Sequence, residues 1–177
     1  MDFDAQIDAL KAAIRDVPDF PKPGIVFKDI TTLLRDPIAF RRALDLMTVL
    51  CGDLPADKVV AIESRGFIIG GALADRLGAG FVPVRKPGRL PWKARRVSYE
   101  LEYGQDELEM HEDAVRAGER VLVVDDVIAT GGTARAVAEL CEGFGATVIG
   151  LAFLVELTFL KGRERLGGRE TRSLIRY

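Results

Sequence analysis

Apolar positions recur along this chain in blocks whose period changes. Over residues 4–16, Ile7, Leu10 and Ile14 fall three and four apart, the spacing of an amphipathic helix, and Pro18 is the expected stop. Residues 18–36 form a Pro- and Gly-rich segment in which Ile25, Val26 and Phe27 read as buried. Pro37 then opens a second helix running to about Leu50. Beyond it, short continuous apolar runs alternate with helical periodicity. Lys58–Ile62 reads as a strand, followed by the turn Glu63-Ser64-Arg65-Gly66 and a helix through Leu77. Gly80–Val84 reads as another strand. Arg120–Val124 is a third, followed by a loop and a helix through about Gly143, and Thr147–Val155 is a long apolar strand. A helix near 159–166 and a tail strand, Ser173–Arg176, close the chain. Strand, loop and helix in repeated succession predict an α/β fold with a central, mostly parallel sheet flanked by helices.

Two stretches break this rhythm. Residues 85–96 carry six cations and no acid. Residues 97–110 alternate apolar and polar in VSYELEY and ELEM, separated by Gly104-Gln105-Asp106, which is a β-hairpin pattern. Both strands of such a hairpin cannot be buried, so it reads as an inserted flap.

Composition narrows the class. A length of 177 residues suits one domain with a substantial core. A formal net charge of -2 gives no electrostatic reason to expect nucleic acid as a partner. Cys51 and Cys141 sit among apolar helical residues and read as buried thiols; a disulfide framework or a metal site would need more cysteines. His111 is the single histidine, which disfavours a His-based zinc site or a Ser-His triad. No apolar run reaches the roughly 18 residues of a membrane span. The acidic start, MDFDAQIDAL, lacks a signal-peptide pattern, so the expected location is the cytoplasm, with no membrane partner.

The richest segment is Val121–Thr133, VLVVDDVIATGGT. An apolar run ends in two adjacent acids, and a short turn leads through Thr130-Gly131-Gly132-Thr133 into a helix. In open α/β sheets, ligands bind at such strand ends. The loop's N–H groups and the helix N-terminus suit an anion. Asp125 and Asp126 repel each other unless donors, hydroxyls or a cation meet them, and a sugar diol would do so. The segment can thus hold both halves of a ribose 5-phosphate. It contains neither the Gly-x4-Gly-Lys-Ser/Thr loop nor Gly-x-Gly-x-x-Gly.

VLVVDDVIATGGT closely resembles the phosphoribosyl-diphosphate (PRPP) binding motif of the type I phosphoribosyltransferases. The resemblance implies the Rossmann-like fold of that family over residues 1–177 as a single domain, with a small N-terminal hood at about 18–36 and a flexible β-hairpin flap at about 85–111. By the same resemblance, Asp125 and Asp126 bind ribose, while Ala129, Thr130, Gly131, Gly132 and Thr133 bind its 5-phosphate. Glu63, Ser64 and Arg65 form the diphosphate loop, often built in the family on a non-proline cis peptide. Lys86 and Arg89 are implied to face diphosphate, with Arg85 acting across a homodimer interface. Trp92-Lys93-Ala94-Arg95-Arg96 is more basic than the family pattern.

Two further strings point to the adenine-specific branch. Ser98–Gly104, SYELEYG, resembles its catalytic loop, making Glu102 the acid/base group, Tyr103 a lid residue and Arg65 the third catalytic member. Phe20–Ile30, FPKPGIVFKDI, resembles its hood: Phe27 would stack on the purine, the backbone of Val26 and Lys28 would read its Watson–Crick edge, and Ala129 would also touch the base. The likeness runs from about Phe20 to Gly162 and includes LVELTFLKG at 154–162. It implies PRPP and adenine as substrates, AMP and diphosphate as products, and Mg²⁺ carried mainly by PRPP, with no direct metal ligation by the protein. Two alternatives stay open: a phosphoribosyltransferase for hypoxanthine, guanine, xanthine or orotate, and a non-catalytic PRPP-binding regulator. Val148–Val155 lacks the lysine typical of 6-oxopurine enzymes, and the chain has no basic DNA-binding segment.

Overall fold

Backbone groups of the N-terminal segment find partners that the helical periodicity conceals. The structure, a computed structural model, describes residues 2–100 and 105–177. These group into two compact units, the first ending at Leu46 and the second spanning Met47–Tyr177. In the first, helix α1 (Phe3–Ala13) stops short of the expected residue 16. The Arg15 amide instead donates to the Thr32 hydroxyl at 3.1 Å, and that hydroxyl donates to the Ala13 carbonyl at 2.6 Å. The chain continues as β1 (Arg15–Pro18), antiparallel to β2 (Val26–Asp29), so Pro18 ends a strand and does not stop a helix. This two-stranded sheet corrects a second expectation: Ile25 and Val26 are exposed and Phe27 is half-buried. A ribbon of two strands has no third layer to cover both faces. Asp29 closes it, accepting from Arg15 at 2.5 Å and from the amide and hydroxyl of Thr31 at 2.9 and 2.6 Å. That turn starts the short helix α2 (Thr31–Arg35), which the periodicity missed. Helix α3 (Pro37–Cys51) follows, its first amides, Ile38 and Ala39, capped by Asp36 at 2.8 and 2.9 Å.

The second unit holds the sheet. Its elements are β3 (Lys58–Ile62), α4 (Arg65–Leu77), β4 (Gly80–Val84), β5 (Ala94–Glu100), β6 (Gln105–His111), β7 (Arg120–Ile128), α5 (Gly132–Gly143), β8 (Thr147–Glu156) and β9 (Thr171–Arg176). Five strands pair in parallel in the order β4-β3-β7-β8-β9. Val59–Ala61, Val121–Val124 and Leu151–Val155 are all buried, as apolar runs on a sheet covered by helices must be. Helix α4 presses close: a Cβ on Gly70 would come within 2.5 Å of the Ala61 Cβ. Helix α5 buries Ala134, Val137, Leu140 and Cys141. Both cysteines are free, and burial pushes their thiols up, Cys51 to about 11 and Cys141 to about 12.

Three boundaries differ from expectation. β7 runs to Ile128, so Asp125 and Asp126 lie within the strand and not beyond it. The segment near 159–166 is two 3-10 turns, Thr158–Leu160 and Gly162–Leu166, and not an α-helix. In the hairpin, Gln105 and Asp106 belong to β6, opposite Glu100 and Tyr99, and not to the turn. Leu108, Glu109 and Met110 are buried, whereas Arg95, Arg96 and Ser98 of β5 are exposed, so only one strand is inside. No helix among the described residues is long and apolar enough to cross a membrane.

The amino ends of the central strands are braced by Asp57. It accepts from the Arg120 amide at 2.8 Å and from that guanidinium at 2.8 and 3.0 Å. These bonds, the side-chain bonds foremost, bring its carboxyl down to about 2, below the ordinary value of about 3.9. A lowered folded-state pKa stabilises above the unfolded value and is lost as pH falls through the folded one. Urea denaturation should therefore show stability falling between pH about 4 and about 2, and Asp57→Asn should flatten the fall in that window. An unchanged slope in the variant would remove Asp57 as its source.

Candidate active site

Parallel pairing puts the carboxyl ends of β3, β4 and β7 on one edge of the sheet. The chain steps outward from β3 to β4 on one side and from β7 to β8 on the other. The loops after β3 and β7 therefore diverge, leaving a crevice between neighbouring strands. Pairing of β7 with β3 ends at Ala61 and Val124, while pairing with β8 continues through Asp125 opposite Phe153. The two acids thus lie beyond the last β3–β7 pair while still fixed in the sheet.

Arg65, the first residue of α4, crosses this crevice and donates from Nε to the Asp126 carboxylate. Asp126 is buried and Asp125 half-buried. Asp125 Oδ1 accepts the Asp126 amide at 2.8 Å. Desolvation, then the neighbouring Asp126, raises the Asp125 carboxyl well above the usual carboxylate range. Gly66 allows the approach: a Cβ there would lie 2.8 Å from Asp125 Oδ1. Glu63 and Ser64 precede Arg65, joined by a cis peptide.

Residues Ala129–Gly131 form the loop after β7, and Gly132 and Thr133 begin α5. Gly131 has a φ of 81°, which favours glycine, and a Cβ on it would overlap the Gly162 carbonyl. A Cβ on Gly162 would in turn overlap the Ala129 carbonyl and approach Ile128 Cγ1 at 2.9 Å. The turn behind is locked by Arg163, whose guanidinium meets buried Glu156 at 2.7 and 2.8 Å. Gly162 lay in the LVELTFLKG string, where no chemical role was readable; its importance is backbone space.

A basic turn follows β4. Arg85 Nε donates to Glu63 at 2.7 Å and its Nη1 to the Arg89 carbonyl at 3.1 Å; Arg89 Nε lies 3.7 Å from Glu63. Desolvation opposes ionisation of Glu63, but Arg85, the Lys86 amide and Arg89 outweigh it and hold its carboxyl low. Lys86 pairs with Asp106, which raises the ammonium and lowers the carboxyl. Tyr99 donates to Asp106 at 3.2 Å and lies beside Thr133; burial chiefly raises its phenol. The structure thus brings Glu63, Ser64, Arg65, Arg85, Lys86, Arg89, Asp125, Asp126 and Ala129–Thr133 to one edge of the second unit.

Other cations of the 85–96 stretch are held elsewhere. Arg95 donates to the Gly143 carbonyl at the end of α5 at 2.8 Å and lies 4.1 Å over the Phe144 ring. Arg96 reaches Glu109 at 3.3 Å. For Arg95 the role is structural, a helix C-terminal partner and a cation–π contact. Sequence reasoning missed Glu109, a polar position of an alternating strand, and Asp106, which the pattern placed in the turn.

Val26, Phe27 and Lys28 belong to the first unit. Phe27 packs edge-on against Phe20 at 5.3 Å, and Lys28 pairs with Asp16 at 2.6 Å. β2 pairs only with β1 among the described residues, so part of its backbone faces away from any strand. Glu102 and Tyr103 lie outside the described residues. Among the described residues, no group of three or more His, Cys, Asp or Glu could hold a metal ion.

The chain is similar to several known proteins. Residues 33–169 match the phosphoribosyl transferase domain. A curated relative from Solibacter usitatus, named adenine phosphoribosyltransferase, is 56% identical over 168 residues, 95% of this chain and 97% of that one. The crystal structure of adenine phosphoribosyltransferase from Thermoanaerobacter pseudethanolicus superposes with a TM-score of 0.94 at 50% identity, covering 97% of this chain and 99% of that one. The Saccharomyces cerevisiae enzyme, solved with adenine and an imino-altritol bisphosphate, gives 0.90 at 40% identity, covering 97% and 99%.

Substituting Gly162→Ala should force the Ala129–Gly131 loop to shift and cost about 1–3 kcal/mol, the usual scale of overpacking. Urea denaturation measures it; a cost indistinguishable from zero would mean that the loop is not held there.

Proposed function

The chain belongs to the adenine phosphoribosyltransferase family, which transfers the 5-phosphoribosyl group of PRPP to adenine and yields AMP and diphosphate in purine salvage, and on that premise we propose how its residues divide the work. One observation carries the division: the Arg65–Asp126 pair, which ties the loop proposed for diphosphate to the strand end proposed for ribose.

The amides of Ala129–Thr133 and the N-terminus of α5 clasp the ribose 5-phosphate. Asp125 and Asp126 accept hydrogen bonds from the 2- and 3-hydroxyls; a carboxylate has lone pairs enough to keep Arg65 as well. Glu63, Ser64 and Arg65, with Arg85, Lys86 and Arg89, hold the diphosphate. Remote binding energy at the phosphate then positions C1. The C1–O bond breaks ahead of attack by adenine N9, leaving oxocarbenium-like charge on the sugar. Arg65 and the 85–89 cations stabilise the leaving group as charge gathers on it. Flap residues exclude water, Tyr103 helps close the lid, and Glu102 moves a proton on the purine.

For the base, Phe27 stacks on the ring, Ala129 touches it, and the backbone of Val26 and Lys28 reads its edge. A carbonyl accepts from a 6-amino group and repels a 6-oxo group; an amide donates to adenine N1, where a 6-oxopurine carries hydrogen. Mismatched buried polar groups make such a site selective.

The reaction uses Mg²⁺. Its hard-ion preference for oxygen ligands, one or two carboxylates with substrate phosphates, fits the all-oxygen pair Asp125–Asp126 beside the diphosphate loop. PRPP would carry it, with no direct protein ligand, Asp125 and Asp126 would face it, and there it would neutralise charge on the leaving group. The enzyme acts as a homodimer in the cytoplasm.

With PRPP, Mg²⁺ and each nucleobase in turn, only adenine should release diphosphate at a substantial rate. Asp125→Asn with Asp126→Asn should lower turnover about a hundredfold or more with the fold intact; near-normal rates would overturn the ribose assignment. Glu102→Gln should slow kcat far more than it changes the PRPP KM, and Glu100→Gln should not. Equal effects from both would remove Glu102 from the proton path.

A further inference from the structure

Glu109 is a buried carboxylate that the reaction as assigned leaves unused. It lies in β6 between buried Leu108 and Met110 and is 4% exposed. A buried acid is costly unless donors surround it, and here they come from the basic turn and from β5. Oε1 accepts the Gly88 amide at 2.9 Å and, more weakly, the Leu90 amide at 3.4 Å. Oε2 accepts from Arg96 at 3.3 Å. The Glu109 main chain exchanges two bonds with Arg85, at 2.7 and 3.0 Å. Gly88 takes a φ of 77°, a turn conformation that favours glycine.

One residue therefore grips the basic turn at both ends. Its backbone fixes Arg85, its carboxylate fixes the amides of 88 and 90, and Lys86 and Arg89 are carried between these points. Three residues earlier on the same strand, Asp106 pairs with Lys86. We propose that Glu109 is a positioning residue for diphosphate: it sets the backbone of the 85–90 turn so that Lys86 and Arg89 present their charges, and it couples that turn to the flap strand β6. The inference rests on the assignment of Lys86 and Arg89 to diphosphate. Glutamine at 109 would keep the volume, lose the charge that strengthens the amide bonds, and present an NH₂ to a donor.

The test uses the whole enzyme in four forms: wild type, Glu109→Gln, the Lys86→Ala/Arg89→Ala double variant, and all three changes together. Diphosphate inhibition constants, KM for PRPP, KM for adenine and thermal midpoints are measured. Glu109→Gln should weaken diphosphate and PRPP about tenfold, leave the adenine KM within about twofold, and add almost nothing to the double variant. A purely structural glutamate would weaken both substrates alike and act independently of the two cations. Either result, or unchanged diphosphate affinity in Glu109→Gln alone, overturns the inference while leaving the cation assignment standing. Unchanged diphosphate affinity in the double variant overturns that assignment and the inference with it. If Glu109→Gln does not fold, Arg96→Gln serves. It leaves the carboxylate and removes one anchor, and should weaken diphosphate about two- to threefold, again only while Lys86 and Arg89 are present; no change would overturn the inference.

Discussion

Backbone lies against backbone around the carboxyl end of β7, and the rest of the site depends on that close approach. Gly66 brings the first turn of α4 onto Asp125, and Gly131 and Gly162 let the loop after β7 rest directly on the 3-10 turn behind it. Side chains at these positions would push the layers apart, and packed interiors do not absorb such shifts gradually. The Arg65–Asp126 pair is a product of this arrangement: its two residues are on different strand–helix units and meet only because those units are adjacent in the sheet. The buried Glu156–Arg163 pair performs a related task, fixing the turn that carries Gly162.

Much of this was legible because the chemistry is contiguous. The parallel strands announced themselves as apolar runs, and Val121–Thr133 holds its acids, loop and helix start in one uninterrupted string. Resemblance to a known family then supplied the substrate, which no periodicity could have given.

What escaped detection depends on partners distant in sequence. Residues 14–16 continue a helical pattern, yet Thr32 and Asp29 draw the Arg15 backbone and side chain into a hairpin. Arg95 and Arg96 looked like surplus lid charges; one meets the exposed carbonyls at the end of α5 and the other meets Glu109. Glu109 is one polar position of an alternating strand, and nothing local reveals that the amides of a turn some twenty residues away converge on it. The segment near 159–166 is interrupted at Lys161, whose φ of 53° is left-handed and separates the two 3-10 turns.

The paired aspartates have a consequence for how substrate arrives. Two bare carboxylates at the mouth of the crevice would repel an incoming sugar polyphosphate and slow encounter. Here the Arg65 guanidinium offsets the charge on Asp126, and Asp125 sits beside that pair with the Asp126 amide on its carboxylate. Hydrogen-bond acceptors stand ready for hydroxyls with a cation already beside them. The long-range pull on a polyanion is left to the cationic turn beyond β4, so capture and grip are handled by separate parts of the same edge.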